Sequence, residues 1–168
     1  MPHWRVVLHT LDRSGPPTLA RGWLQWLREN HPDHGVDVIA LRGGELVDDF
    51  GALARGRVLL SPDEGWNPDR PPKARVKALH ASLRDLPRAD ATLLVSVSAG
   101  VALPMIAGRT GPIATWVVEQ QEPFPPGLAT ATARWLTGSE GTRADLRRRL
   151  EESAPRHLGS ATHIDARA

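Results

Sequence analysis

The sequence contains no cysteine among its 168 residues, which excludes disulfide bridges and thiolate metal sites. It also lacks any apolar run near the roughly 20 residues that a membrane-crossing helix requires. The first residues do not follow the pattern of a secretory signal peptide. We therefore expect a cytoplasmic protein without a transmembrane segment.

Lysine is nearly absent, because only two of the 21 basic residues are lysines and the remainder are arginines. The formal net charge is only +2, since 19 acidic residues offset the basic ones. The densest basic segment, Arg143 to Arg149, includes Asp145 and Leu146, as expected for the solvated face of a helix rather than a stripe that follows phosphates. We therefore expect no nucleic-acid partner.

No G-x-G-x-x-G motif is present, so the usual dinucleotide-binding fingerprint is missing. Hydrophobic residues make up 40% and charged residues 24% of the chain, as in ordinary globular proteins. No internal repeat or composition shift divides the sequence. Residues 1–168 are therefore expected to form a single domain.

The sequence does contain alternating strand and helix signals along its whole length. Short apolar runs rich in β-branched residues predict strands at 5–11, 36–41, 57–60, 91–97, 112–118 and 133–137, with a seventh beginning at 161–164. Helical patterns lie between them, at 18–30, 45–54, 73–86, after Gly100, at 128–132 and at 139–152. Because the strands are apolar on both faces, the pattern predicts an α/β fold, a Rossmann-like three-layer α/β/α sandwich with a mostly parallel sheet of about six to seven strands.

The first strand, loop and helix form the first candidate ligand site. The loop Asp12–Pro17 cannot continue the strand, because its prolines lack an N–H donor and Gly15 permits a positive φ. Such a unit directs loop amides and a helix N-terminus to the sheet edge where α/β proteins bind anions. Ser14 and Gly15 are therefore candidate ligand contacts, a plain tight turn being the alternative.

Two structural expectations accompany this site. Leu19, Trp23, Trp26 and Leu27 recur at helical spacing, which predicts that they form the buried face of the first helix. His9 is predicted to be a hydrogen-bonded core residue inside the first strand.

Other candidate loops follow the later strands. Gly43–Gly44 is most simply a turn before a helix, and Ser139 is predicted to cap the helix that follows it, although its loop could also present amides to a ligand. His31 and His34 are assigned to a surface turn rather than to a metal site.

Ser98 has a separate catalytic interpretation. The segment Ser96–Gly100 resembles a nucleophile elbow whose first glycine has been replaced. Asp145, followed by His157 or His163, would supply the remaining triad members in the order used by α/β-hydrolases. A serine hydrolase is therefore one alternative, although the chain is short for that fold and no HGGG-type segment precedes the serine.

Four segments carry a resemblance to a known family: Val7–Gly15, Trp26–Arg28, Leu41–Leu46 and Thr137–Leu146. Together they look like the N-terminal, acceptor-side half of group 1 (family-4-like) GT-B glycosyltransferases, here of bacterial type. The resemblance implies that residues 1–168 form one of two Rossmann-like halves enclosing a cleft, and that the C-terminal nucleotide-sugar-binding domain is absent from them. It further implies transfer of a sugar, with retention, from a nucleotide-diphosphate sugar to a hydroxyl of a small-molecule or glycan acceptor.

The resemblance also assigns residues and partners. The donor phosphate and sugar loop maps onto Ser14, Gly15 and Pro16, and the acceptor-side loops map onto Ser98, Glu119, Gln120 and Ser139. No metal and no cofactor would be bound by this half, and its partner would be a C-terminal GT-B domain of the same or a separate chain. Isolated, it should be inactive.

One departure from the family pattern affects catalysis. The segment Thr115–Glu119 stands where the family has Thr-His-Val-His-Glu, so the histidine that reaches the donor sugar is missing. Glu119 alone remains as a catalytic candidate. The rival interpretation is a stand-alone Rossmann-like module that binds a small ligand or serves as a non-catalytic partner.

Overall fold

The structure, a computed structural model, describes residues 1–60, 83–84, 86–118, 123–153 and 164–165. The predicted irregular segment 61–72 and nearly all of the predicted helix 73–86 lie outside these ranges. Glu119, Gln120, His157 and His163 also lie outside them.

Seven strands form one sheet in which every neighbouring pair is parallel. Their bounds are β1 His3–Leu8, β2 Gly35–Ala40, β3 Val58–Leu60, β4 Ala91–Val95, β5 Ile113–Val117, β6 Thr132–Thr137 and β7 Ile164–Asp165. The spatial order is β3-β2-β1-β4-β5-β6-β7. This arrangement is Rossmann-like, and it confirms the fold class predicted from the sequence.

The described helices connect these strands in the manner of a βαβ fold. Their bounds are α1 Gly15–Asn30, α2 Val47–Leu53, α3 Leu103–Ile106, α4 Leu128–Ala131 and α5 Glu140–Ser153. Two 3₁₀ helices, Ser98–Ala102 and Ala107–Arg109, flank α3.

The sheet is buried on both faces, which explains why its strands are apolar at successive positions. Val6 and Leu8 pack with residues of α1 and α2 in one hydrophobic cluster. Val7, between them in β1, packs with residues of α3, α4 and α5 in the other. Since successive side chains of a strand point to opposite faces, the two clusters form the two interlayer cores of a three-layer sandwich.

The strand order changes direction between β1 and β4. From β1 the chain proceeds to β2 on one side, and from β4 it proceeds to β5 on the other. The connections after β1 and β4 therefore diverge, and a crevice opens between the carboxyl ends of these two strands.

The opposite, amino-terminal edge of the sheet is held by a buried arginine. Arg5, which is 1% exposed, donates hydrogen bonds to the carbonyl oxygens of Pro87 (2.6 Å) and Arg109 (3.0 Å). Burial is the main cause that lowers the pKa of Arg5, and the nearby Asp37 carboxylate partly opposes it. These bonds tie β1 to the segments that precede β4 and β5, away from the crevice.

Three local predictions require correction. β1 ends at Leu8 and not at residue 11, so His9 lies beyond the strand rather than in its core. β4 ends at Val95, so Ser96 and Val97 belong to the following turn. α1 begins at Gly15 and includes Pro16 and Pro17, because the first helical turn tolerates residues without an N–H.

The prediction for the buried face of α1 is confirmed for Leu27 and wrong for Leu19 and Trp26, while Trp23 is partly buried against the core. Leu19 and Trp26 are 44% and 49% exposed, whereas the helix buries Pro16, Pro17, Ala20, Leu24 and Leu27. Both sets recur at helical spacing, so periodicity alone does not distinguish them. In the folded chain the stripe with the small Ala20 packs against the sheet.

Candidate functional site

A pocket lies at the crevice between the carboxyl ends of β1 and β4, and we call it the switch-point pocket. Its cavity volume is about 70 Å³, and the space that opens from it to solvent extends this to about 330 Å³. Its lining residues are Leu8, His9, Thr10, Ser14, Pro16, Pro17, Val95, Ser96 and Ser98. Open α/β sheets bind ligands at this point of the topology.

The loop between β1 and α1 is shaped by its own polar side chains. The Ser14 N–H donates to Asp12 Oδ1 (3.2 Å), and the Asp12 N–H donates to Thr10 Oγ1 (3.3 Å). The side-chain hydrogen bond from Ser14 is the main cause that lowers the pKa of the Asp12 carboxyl group. This Asx-turn geometry holds Thr10 and Ser14 at the rim of the pocket.

Gly44 supports this loop from the side. A Cβ atom added at Gly44 would lie 2.3 Å from both the Asp12 nitrogen and the Leu11 carbonyl carbon. The Leu46 N–H donates to the Leu11 carbonyl oxygen (2.9 Å) and joins the two segments. The Gly43–Gly44 turn therefore has a structural reason, which is close backbone approach.

The N-terminus of α1 provides fewer donors than the sequence analysis expected. Pro16 and Pro17 occupy its first turn and have no N–H, while the Thr18 N–H donates to the Ser14 carbonyl oxygen (3.2 Å). Only Gly15 contributes an N–H to the end of the helix that faces the pocket. A Cβ atom added at Gly15 meets no other atom within 4 Å.

Ser96 has an unusual backbone conformation directly after β4. Its φ is +79°, and no other non-glycine residue of the described ranges has a positive φ. The residue is 2% exposed, and its N–H donates to the Trp116 carbonyl oxygen (2.9 Å). Its hydroxyl oxygen is 2.8 Å from that of Ser98, the first residue of a 3₁₀ helix.

The backbone at Ser98 differs from that of a nucleophile elbow. In an elbow, the strained residue at the strand-to-helix turn is the nucleophile. Here the positive φ belongs to Ser96, while Ser98 lies in the 3₁₀ helix. Asp145, the acid considered for the triad, is on α5 and pairs with Arg148 at 2.8 Å.

The structure brings together some of the predicted site residues. Ser14, Pro16 and Ser98 line the switch-point pocket, and Gly15 lies between the first two in the chain. Ser139 is at the end of β6, where its hydroxyl accepts a hydrogen bond from the Thr142 N–H (3.1 Å), so the predicted helix cap is confirmed. Ser139 is not among the residues that line the pocket.

Sequence reasoning missed three lining residues, His9, Thr10 and Ser96. The missing information was the point at which β1 and β4 end. A polar residue directly after an apolar strand was the available signal, and His9 was instead assigned to the strand interior.

No protein-family model and no curated protein matches the chain. Among the described helices, none is both long enough and apolar enough to cross a membrane. Within the same ranges, no group of three or more histidine, aspartate or glutamate side chains is placed to share a metal ion.

Proposed function

We propose that this chain is the acceptor-side domain of a retaining glycosyltransferase that moves a sugar from a nucleotide-sugar donor to an acceptor hydroxyl. One observation carries the proposal. Ser14 and Pro16, assigned to the donor, and Ser98, assigned to the acceptor, lie far apart in the sequence and line one pocket. A transferase needs its two substrates in contact, and convergence of both sets of residues meets that requirement.

In this role the chain orients the reacting groups and excludes water, and a second domain holds the nucleotide. The described pocket lining contains no arginine or lysine to neutralise a leaving diphosphate. Stabilisation of that charge would therefore come mainly from the partner domain. Without that second domain, the chain is expected to have no transferase activity.

Fusion to a nucleotide-sugar-binding domain tests the proposal. The 168-residue chain is joined to the C-terminal domain of a family-4-like glycosyltransferase, and release of nucleoside diphosphate is measured with a panel of donors and acceptors. Acceptor-dependent release by the fusion, and none by either half alone, is the expected result. A fusion that binds donor and has no transferase activity with any acceptor in the panel would contradict the proposal.

Gly15→Val provides a second test, because a Cβ atom added there meets no other atom within 4 Å and Gly15 belongs to the loop assigned to the donor. We expect transfer by the fusion to fall at least about tenfold while the melting temperature changes little. Gly22→Val is the matched control, since Gly22 lies in the same helix, is equally open and is away from the pocket. Equal activity of the two variants would refute the assignment of Gly15.

Val118 favours a second candidate function. It follows β5 at the carboxyl edge, where the resemblance places the histidine that reaches the donor sugar. Without an imidazole there, the chain would be a ligand-binding module or a non-catalytic partner. Tight binding of a small ligand by the 168-residue chain, with no activity in any fusion, would support this candidate.

A further inference from the structure

The lining of the switch-point pocket carries no charged arginine, lysine, aspartate or glutamate side chain. The lining residues with polar side chains are Thr10, Ser14, Ser96, Ser98 and His9. Asp12, beside it in the loop, carries a carboxylate that repels an anion, and the Arg42 guanidinium interacts with this carboxylate.

The adjoining helix end does not compensate for the missing positive charge. The two prolines in the first turn of α1 remove two of the N–H groups that bind phosphate at other helix N-termini. The pocket is therefore a poor match for a phosphate group.

The backbone of Ser96 has a conformation that favours glycine. At φ +79° glycine is the unstrained choice, and a residue with a Cβ atom there is unfavourable. The backbone hydrogen bond to Trp116 and the contact with Ser98 hold the strained conformation in place. Strain of this kind is characteristic of ligand-binding positions.

Two adjacent hydroxyls have a defined recognition chemistry. Each can donate one hydrogen bond and accept two, and at 2.8 Å one of them donates to the other, so the pair has at most one O–H to donate to a ligand and lone pairs with which to accept. An alcohol group also donates and accepts, whereas the ionised diphosphate of a nucleotide sugar carries no O–H and only accepts.

We infer that the Ser96–Ser98 pair recognises a neutral hydroxyl group of a sugar ring or similar polyol, and that Ser96 is the positioning residue of the pair. This inference rests on the proposed function for its biological role, because it names the part of the substrates that the pocket holds. The phosphates of the donor would lie outside the pocket, against the partner domain.

Amide NMR titration of the 168-residue chain tests the inference. The probes are D-glucose, D-mannose and D-galactose, compared with inorganic phosphate and pyrophosphate. We expect at least one sugar to shift the amide signals of residues 97–99 and the His9 ring signals, and we expect phosphate and pyrophosphate not to. A response to phosphate or pyrophosphate and to no sugar, or no response to any probe, would overturn the inference.

Variants at Ser96 separate positioning from a structural role. Ser96→Gly accommodates the positive φ and removes the hydroxyl, so it should fold and bind the sugar about tenfold more weakly. It should also lose the preference of the wild-type chain for that sugar over its monodeoxy analogues, which a merely structural role would not change. Thr130→Ala, which removes an exposed hydroxyl outside the pocket, is the matched control.

Unchanged affinity and unchanged preference in Ser96→Gly would refute the role of Ser96. Failure of the proposed function is distinguishable: it would leave sugar binding and its dependence on Ser96 intact while no fusion transfers sugar. The converse result is a fusion that transfers sugar while its Ser96→Gly variant keeps the wild-type preference for the intact sugar over its deoxy analogues. That result would refute the inference about Ser96 and leave the proposed function standing.

Discussion

Single residues define the two edges of the sheet in different ways. At the carboxyl edge, Thr10, Ser14, Ser96 and Ser98 place hydroxyls around an open pocket. At the amino edge, Arg5 is buried and saturates carbonyl groups of neighbouring segments. The first edge contains the pocket to which we assign a ligand, and the second holds the strands together.

Asp12 provides a prediction on pH at the pocket rim. Its pKa lies below the ordinary 3.8, mainly because the Ser14 side chain donates a hydrogen bond to the ionised carboxylate. A depressed pKa in the folded state stabilises the protein above the unfolded-state pKa, and this stabilisation is lost as the pH falls through the folded-state value. Ser14→Ala should therefore raise the pKa of Asp12, as measured by NMR titration of its carboxyl carbon. A pKa that is unchanged in Ser14→Ala would contradict the assigned cause.

Arg5 provides a prediction on stability. Arg5→Met leaves the carbonyl oxygens of Pro87 and Arg109 without their charged donor, and we expect the free energy of unfolding to fall by about 2–4 kcal/mol. Urea denaturation measures this change. Arg21→Met is the control, because Arg21 forms an exposed pair with Asp49 and its removal should cost less than about 1 kcal/mol. Equal losses in the two variants would contradict the role assigned to Arg5.

At the scale of elements, α1 and the turn before α2 combine stability with access to the pocket. Pro16 and Pro17 lie in the first turn of α1 and line the pocket, while Ala20 and Leu24 are buried on the helix. Gly44 allows the segment before α2 to contact the backbone of the loop after β1. One element thus provides a core face and a wall of the site.

Two glycines of these elements should respond oppositely to alanine. Gly22→Ala adds a methyl group in open space on a helix and should raise the free energy of unfolding by about 0.5–1 kcal/mol. Gly44→Ala places a methyl group against the backbone of Leu11 and Asp12 and should lower it by about 1–3 kcal/mol. Thermal and urea denaturation measure both changes. A stabilised Gly44→Ala variant would show that the close approach of the two segments is not required.

At the scale of the whole molecule, strand order decides where chemistry is possible. β1 and β4 are neighbours although two strands and their connections separate them in the sequence. Their carboxyl ends therefore bring together the loops that follow each of them. The transfer reaction that we propose would take place at this junction, between this chain and a second domain.

Val118→His tests whether the missing imidazole limits the proposed activity. In the fusion with a nucleotide-sugar-binding domain, the new side chain at the end of β5 could donate a hydrogen bond to the donor sugar. One added neutral hydrogen bond corresponds to an increase of about two- to tenfold in kcat/KM. Thr130→His is the control at an exposed site. An equal or lower rate in Val118→His than in the control would exclude Val118 as the limiting position.

The sequence was sufficient to predict the number of strands and their parallel direction. It predicted the residues at which the strands end less accurately. Apolar strands that alternate with helices can only be buried between two helical layers, so the architecture follows from hydrophobic pattern. Strand ends depend on hydrogen bonds to neighbouring strands, which explains why His9 and Ser96 were assigned to strands that had already ended. Apolar residues occupy more than one stripe of α1, and the stripe that contains Ala20 and Leu24 is the one that packs against the sheet. Tertiary packing, and not the spacing of apolar residues, decides between the stripes.

The sequence by itself therefore determined the α/β class, the cap at Ser139 and the candidate loops after β1 and β4, because these depend on periodicity and on local backbone chemistry. The tertiary structure alone decided that Ser14, Ser96 and Ser98 share one pocket, that Ser96 has a positive φ, and that Leu19 and Trp26 face solvent. The physical reason is that these features arise from contacts between residues distant in the chain, and only the order of strands in the sheet sets those contacts.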